Sequence, residues 1–174
     1  MASVRGKLDL PGDVVDRLQA DRKLDPGLRE AALKWVRASW AWVEGLEPAA
    51  LDVVKDPNRP PQDYRKALRA VEAAVTFEPW NSNALHTLGV AQYRCGQYRE
   101  ALASLQRAAD SRQPPTGGDL IFTAMAQFRL GDVEAARAKL KIVQDRKGKG
   151  VPNAQRLAFL KEAEALIGAP KPRD

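Results

Sequence analysis

A nine-residue pattern in this chain recurs, identical at four of its nine positions. Leu88-Gly89-Val90-Ala91-Gln92-Tyr93-Arg94-Cys95-Gly96 returns 35 residues later as Thr123-Ala124-Met125-Ala126-Gln127-Phe128-Arg129-Leu130-Gly131, and Leu105 returns as Leu140. A third, partial copy precedes them: Tyr64, Ala67, Leu68, Val71 and Ala74 match Tyr98, Ala101, Leu102, Leu105 and Ala108 at an offset of 34. A period in the mid-thirties built from two helical patterns is one unit that cannot bury its apolar face alone. Such units must stack, which constrains the chain to an all-α solenoid. What a solenoid offers is a surface rather than a reaction centre.

Local signals place the helices. Pro11-Gly12-Asp13 reads as a turn and cap before a short helix carrying Val14, Val15 and Leu18. Asp25-Pro26 sets an N-cap oxygen beside a residue already at a helical φ. The helix it starts carries Leu28, Ala32, Trp35, Ser39 and Trp42 at spacings of three and four, and Gly45 ends it. Pro48 opens a short helix with Leu51 and Val54, stopped by Asp56-Pro57, and Pro61 suits the first turn of the next. Asn81-Ser82-Asn83 caps the helix holding His86 to Cys95, and Gly96 breaks it. Arg99 to Ser111 completes that pair, and Gln113-Pro114-Pro115-Thr116-Gly117-Gly118 reads as a loop. Helices over Asp119 to Leu130 and Asp132 to Arg146 follow. After a flexible Lys147-Gly148-Lys149-Gly150 linker, Pro152 starts a last helix with Leu157, Leu160, Ala163 and Leu166 on one stripe, suited to cap the stack. Gly89 lies mid-helix, where glycine costs about 1 kcal/mol relative to alanine. Close packing of the paired helix is the expected compensation, and the matching Ala124 is also small.

The expected organisation is a single domain, 1–174: a degenerate helix pair over 1–45, repeats over 46–80, 81–116 and 117–146, a capping helix over 151–168 and a tail over 169–174. A chain of 174 residues buries roughly 70% of its unfolded surface without a disulfide or metal staple. The lone Cys95 forms no bridge within the chain. No early apolar run reaches the length of a signal peptide or of a span of about 20 residues, so a reducing, cytoplasmic setting is expected, with no membrane.

The net charge of +6 comes wholly from one end. Residues 1–136 carry 18 charges of each sign; residues 137–174 carry ten basic and four acidic. A basic end of this kind suits phosphates or an acidic partner through counterion release. It equally suits a solvated helix face with a charged linker and tail, and no aromatic is interleaved for base stacking. A nucleic-acid or anionic-surface binder is thus an alternative reading and not the first.

Leu85-x2-Leu88-Gly89, then Gly96-x-Tyr98-x2-Ala101-x3-Leu105-x2-Ala108, resembles a tetratricopeptide repeat (TPR). The next copy, Leu120-x3-Ala124, then Gly131-x-Val133-x2-Ala136-x3-Leu140, resembles it too. The resemblance implies a right-handed α-α superhelix of about nine helices with a C-terminal capping helix. A narrower similarity covers Leu18-x-Ala20-Asp21-Arg22-x-Leu24, Arg29-x-Ala31-Ala32-Leu33, Tyr64 to Ala74, Thr87 to Arg94 and Ala124 to Gly131. These resemble the C-terminal helical-repeat region of large bacterial serine/threonine protein kinases. The catalytic elements are missing here: there is no Gly-rich phosphate loop, no His-Arg-Asp and no Asp-Phe-Gly. The resemblance implies a non-catalytic scaffold or regulatory module, without ATP.

Candidate chemistry is sparse. His86 and Cys95 are the sole residues of their types, and nine positions along one helix put them half a turn out of phase, so no dyad or metal site is expected. The acidic pair Asp52 and Asp56, and Glu162 beside Lys161, fit solvated helix surfaces. No cofactor is implied. In TPR arrays the first helix of each pair lines the concave groove, which points to Asn83, His86, Val90 and Arg94, and one period on to Gly118, Ile121, Met125 and Arg129. Apolar residues flanked by arginines suit a peptide or protein segment with an acidic end. The family's clamp for a C-terminal carboxylate is not reproduced, because His86 and Val90 stand where Lys and Asn are required and Phe122 replaces an Arg or Asn. Trp80 is read as a packing residue, with an exposed anchor as the alternative. Dimerisation is a further possibility for the whole stretch.

Overall fold

The computed structural model describes residues 17–38, 45–112, 114–145 and 154–168. Eight helices run through them: α1 Pro26–Ala38, α2 Leu46–Val54, α3 Pro61–Phe77, α4 Ser82–Arg94, α5 Tyr98–Asp110, α6 Gly117–Arg129, α7 Val133–Asp145 and α8 Ala154–Ile167. Residues 17–20 are also helical, and there is no strand among the described residues. From α2 to α7 each helix packs on its neighbours in sequence, while α2 also packs on α4 and α4 on α6. That is the layering of a TPR-like solenoid.

The caps follow the local chemistry. Asp25 Oδ1 accepts from the Leu28 amide at 3.0 Å and opens α1 at Pro26. Pro61 takes the first position of α3. The Asn81 side chain accepts from the Asn83 and Ala84 amides. Gly96 and Gly131 sit at φ 80° and 90°, the left-handed region that a glycine enters without a Cβ penalty. After each, the chain turns back: the Gln97 amide donates to Gln92 O, and that of Asp132 to Gln127 O.

Two boundaries differ from expectation. Helix α2 begins at Leu46, two residues before Pro48, which a proline in the first turn permits. Gly117 and Gly118, expected in a loop, form the first turn of α6 because Thr116 and Asp119 cap one another reciprocally. The cap holding that turn is stronger than the glycines' aversion to helix.

The core runs from α2 through α8 as one cluster that includes Val54, Val71, Leu105, Phe122, Leu140 and Leu160. Burying each such side chain is worth about 1.5–3 kcal/mol. Gly89 meets the expectation set for it: a Cβ built there would stand 2.6 Å from Leu105 Cγ on α5. Ala124, its counterpart, is fully buried. Over residues 26–34, where its side chains are described, helix α1 contributes no buried residue; Arg29 fastens it to the preceding turn by donating to the carbonyls of Leu18, Asp21 and Leu24. Val14, Val15, Ser39, Trp42, the Lys147–Gly150 linker, Pro152 and the 169–174 tail lie outside the described residues.

Helix α8 caps the stack, but on a different face from the one its sequence suggests. Leu160 and Ala163 are buried as expected, whereas Leu157 is 38% exposed and Phe159 and Ile167 take the inner positions. The Phe159 ring meets Phe122 edge-on at 4.8 Å between centroids, an arrangement worth about 0.5–1.5 kcal/mol beyond burial. That contact rotates the helix.

Candidate functional site

The inner face of α4 and α6 is built around Phe122. Its ring lies edge-on to His86 at 6.5 Å, Tyr93 at 5.5 Å and Phe159 at 4.8 Å. Arg94 crosses this aromatic wall with its guanidinium carbon 5.4 Å from the Phe122 centroid and 5.9 Å from that of Tyr93. Arg94 Nε donates to the Val54 carbonyl at 2.9 Å. Its two remaining nitrogens fork onto the carboxylate of Glu162 on α8: Nη2 reaches Oε2 at 2.8 Å and Nη1 bonds Oε1. Such a bidentate charge-assisted pair combines strength with directional selectivity. The Arg94 side chain is only 6% exposed.

The expected groove set divides in two. Asn83 and Arg129 are exposed, His86 is half-buried, and the Arg94 side chain is almost wholly covered. Val90, Ile121 and Met125, expected as an open apolar wall, are instead fully buried. They belong to the same core as Phe159, Leu160 and Ala163, because α8 packs mainly on α6. Gly118 lies against the His86 ring; a Cβ on it would come within 2.9 Å of Cε1.

His86 has a partner the sequence does not announce. Its Nδ1–H donates to Asp119 Oδ1 at 2.7 Å, and Asp119 Oδ2 accepts from the Thr116 amide at 2.8 Å and hydroxyl at 2.6 Å. Burial alone raises the Asp119 carboxyl, but the His86 and Thr116 hydrogen bonds and the His86 charge together outweigh it and hold the group below its ordinary value. Arg112 stands 3.9 Å from Asp119 Oδ2 and bonds Ser82 and Asn83. The Thr116-x-x-Asp119 spacing signals a capping box; nothing local signals that the same carboxylate also holds a histidine 33 residues away.

A cleft of about 310 Å³ opens here, lined by His86, Arg112, Gly117, Gly118, Arg156 and Phe159 among others. A second, of about 510 Å³, lies between α7 and α8 beside Arg137, Gln144, Glu164 and Ile167. The two clefts flank α8. The Tyr93 hydroxyl beside Arg129 raises the guanidinium; burial chiefly raises the Tyr93 phenol.

Burial pushes the Cys95 thiol up, with Arg65 opposing and Glu72 adding to it. Asp52 is exposed and paired with Lys55, whose hydrogen bond and charge lower its carboxyl. Trp80 is 70% exposed and is not a packing residue. Its loop is fixed beneath it by Arg107 on the Pro79 carbonyl and Asn81 on Glu78, which leaves the indole outside. Among the described residues no group of three or more His, Cys, Asp or Glu is placed to hold a metal ion, and no helix is long and apolar enough to cross a membrane.

Comparison with curated proteins and with solved structures gives no match. The model of the family described as anaphase-promoting complex, cyclosome, subunit 3, a TPR-like repeat family, matches residues 61–142. That span covers α3 to α6 and most of α7, and it supports a TPR-type repeat protein whose general class is a protein–protein interaction module.

Proposed function

We propose that this chain is a non-catalytic, cytoplasmic scaffold whose three repeats, 46–80, 81–116 and 117–146, take a protein segment along the face formed by α2, α4 and α6. One observation carries the reading: Arg94 grips the carboxylate of Glu162 from a helix lying across that face. A forked cation beside an aromatic wall is what an acidic peptide segment requires. Asn83, His86 and Arg129 extend the polar rim around it, while Val90, Ile121 and Met125 are buried in the core behind it. The likeness of the repeats to the helical region of bacterial serine/threonine kinases supports a regulatory setting beside such a kinase.

The test is a selection from a peptide display library on the full chain, with affinities measured by fluorescence anisotropy. Arg94→Ala and Arg129→Ala are each expected to weaken the selected peptides about tenfold or more, in the range of a lost interface hot spot. Arg99→Ala, on α5, leaves them unchanged. Affinity indifferent to both Arg94 and Arg129 overturns the reading.

A further inference from the structure

Helix α8 is seated unlike the helices before it. Of the helices that precede it, α6 packs more on α5 than on α4, whereas α8 reverses the order, packing more on α6 than on α7. It is flanked by open clefts of about 510 and 310 Å³. Its attachments to the inner face are specific. Phe159 meets Phe122, and three residues on, one helical turn along the same face, Glu162 meets Arg94.

Arg94 is also held from the side away from α8. Its Nε is held by the Val54 carbonyl and its plane lies by Tyr93 and Phe122, so these supports come from α2, α4 and α6. The two nitrogens that fork onto Glu162 are therefore preorganised for a carboxylate. Because Arg94 is almost wholly buried beneath α8, a helix that covered it without an acid would leave an unpaired buried charge, a strongly unfavourable state. An occupant must bring both an aromatic ring and a carboxylate.

Resting on the concave-face reading above, we infer that Arg94 and Phe122 form a receptor for a helix carrying an aromatic residue followed three positions later by glutamate. Helix α8 is the resident occupant, and a partner helix of the same chemistry takes its place. A tethered occupant competes at the high effective concentration its linkage provides, so the partner's apparent affinity is reduced by the fraction of time α8 is docked.

The probe is a fluorescein-labelled peptide with the sequence of residues 154–168, titrated against the full chain by anisotropy. Glu162→Ala in the protein weakens the resident helix and is expected to tighten peptide binding about tenfold or more. The gain is lost when the peptide's own glutamate at the position of Glu162 is alanine, and lost again when Arg94→Ala is added to the protein. Equal affinity for wild type and Glu162→Ala, or for peptides with and without that glutamate, overturns the inference. So does light scattering that shows a dimer with reciprocally exchanged α8, since the occupant would then be a second copy. Hydrogen exchange on the wild type needs no variant: α8 amides are expected to exchange well before those of α4, and exchange of α8 only through global unfolding overturns it. A selected peptide that depends on Arg129 while α8 stays docked would keep the concave-face reading and end this one.

Discussion

Gly89 and Leu105 occupy space that one additional carbon would overfill, since a Cβ on Gly89 would stand 2.6 Å from Leu105 Cγ, 2.9 Å from Cδ2 and 3.3 Å from the Ala101 carbonyl oxygen. The Cγ is the branch point of a side chain that is only 1% exposed, so it has no free end to swing aside. Overpacking of this kind costs about 1–3 kcal/mol, set against about 1 kcal/mol gained from alanine's helix propensity. Gly89→Ala is therefore expected to lower the urea unfolding midpoint, with a net loss of up to about 2 kcal/mol. In a Leu105→Ala background the added methyl fills part of the vacated volume and the sign reverses. An unchanged midpoint in the single variant would show that α4 and α5 are not held this closely.

The repeat and its caps were legible in the sequence because they are written locally. Asp25-Pro26, Asn81, Gly96 and Gly131 each act within a few residues, and Gly89 stands out because it breaks a propensity rule that only packing offsets. The groove was half legible. Periodicity assigns Val90, Ile121 and Met125 to one face, yet it does not say what covers that face. The covering helix carries Leu157, Phe159, Leu160, Leu166 and Ile167, apolar on several sides, so its period selects no single inner stripe. The pairs Arg94–Glu162 and His86–Asp119 join residues 68 and 33 positions apart, and such pairings depend on how helices stack rather than on any spacing within one of them. Trp80 differs from expectation for a related reason: indoles are usually buried, and nothing local announces that this one is 70% exposed.

Asp119 gives the fold an acid-sensitive joint. Its folded-state carboxyl is held below the ordinary value, where burial is outweighed by the bonds from His86 and Thr116. A lowered folded pKa means that the unfolded chain binds the proton more readily, so this stabilisation is fully present above about pH 4 and is lost as pH falls through the depressed folded value. Over that acid window the wild type should lose up to about 1.4 kcal/mol per pH unit through this one group. Asp119→Asn is expected to flatten the acid limb by that slope while costing about 1–3 kcal/mol at neutral pH for the weakened bonds. Chemical denaturation at a series of pH values measures both, and parallel acid limbs would remove Asp119 from the account.

Tyr64 fastens the proline-rich turn between α2 and α3. Its hydroxyl donates to the Asp56 carbonyl at 2.7 Å and accepts from the Arg59 amide at 3.0 Å, while its ring is 6% exposed. Tyr64→Phe keeps the ring and removes both bonds, so the expected loss is about 1–2 kcal/mol, near that of two ordinary hydrogen bonds partly replaced by water. Amide exchange localises the effect: Arg59 should exchange much faster in the variant, with α5 unaltered. A uniform increase along the chain would mean instead that the ring itself had shifted.

Cys95 is the chain's single thiol, and it tests the packing of α4 on α3 without any mutation. Burial pushes the thiol up, Glu72 adds to the effect and Arg65 opposes it. Only the thiolate attacks a disulfide reagent, and an ordinary thiol is a few per cent thiolate at pH 7. The Cys95 fraction must be smaller, and partial burial reduces access further. Its reaction with an aromatic disulfide reagent at neutral pH should therefore run at least about tenfold slower than that of a free cysteine, rising with pH to a midpoint above the ordinary thiol value. Denaturation should restore the free rate. A native rate matching the unfolded one would mean that the turn at Gly96 stands open and that Cys95 is not covered by the repeat before it.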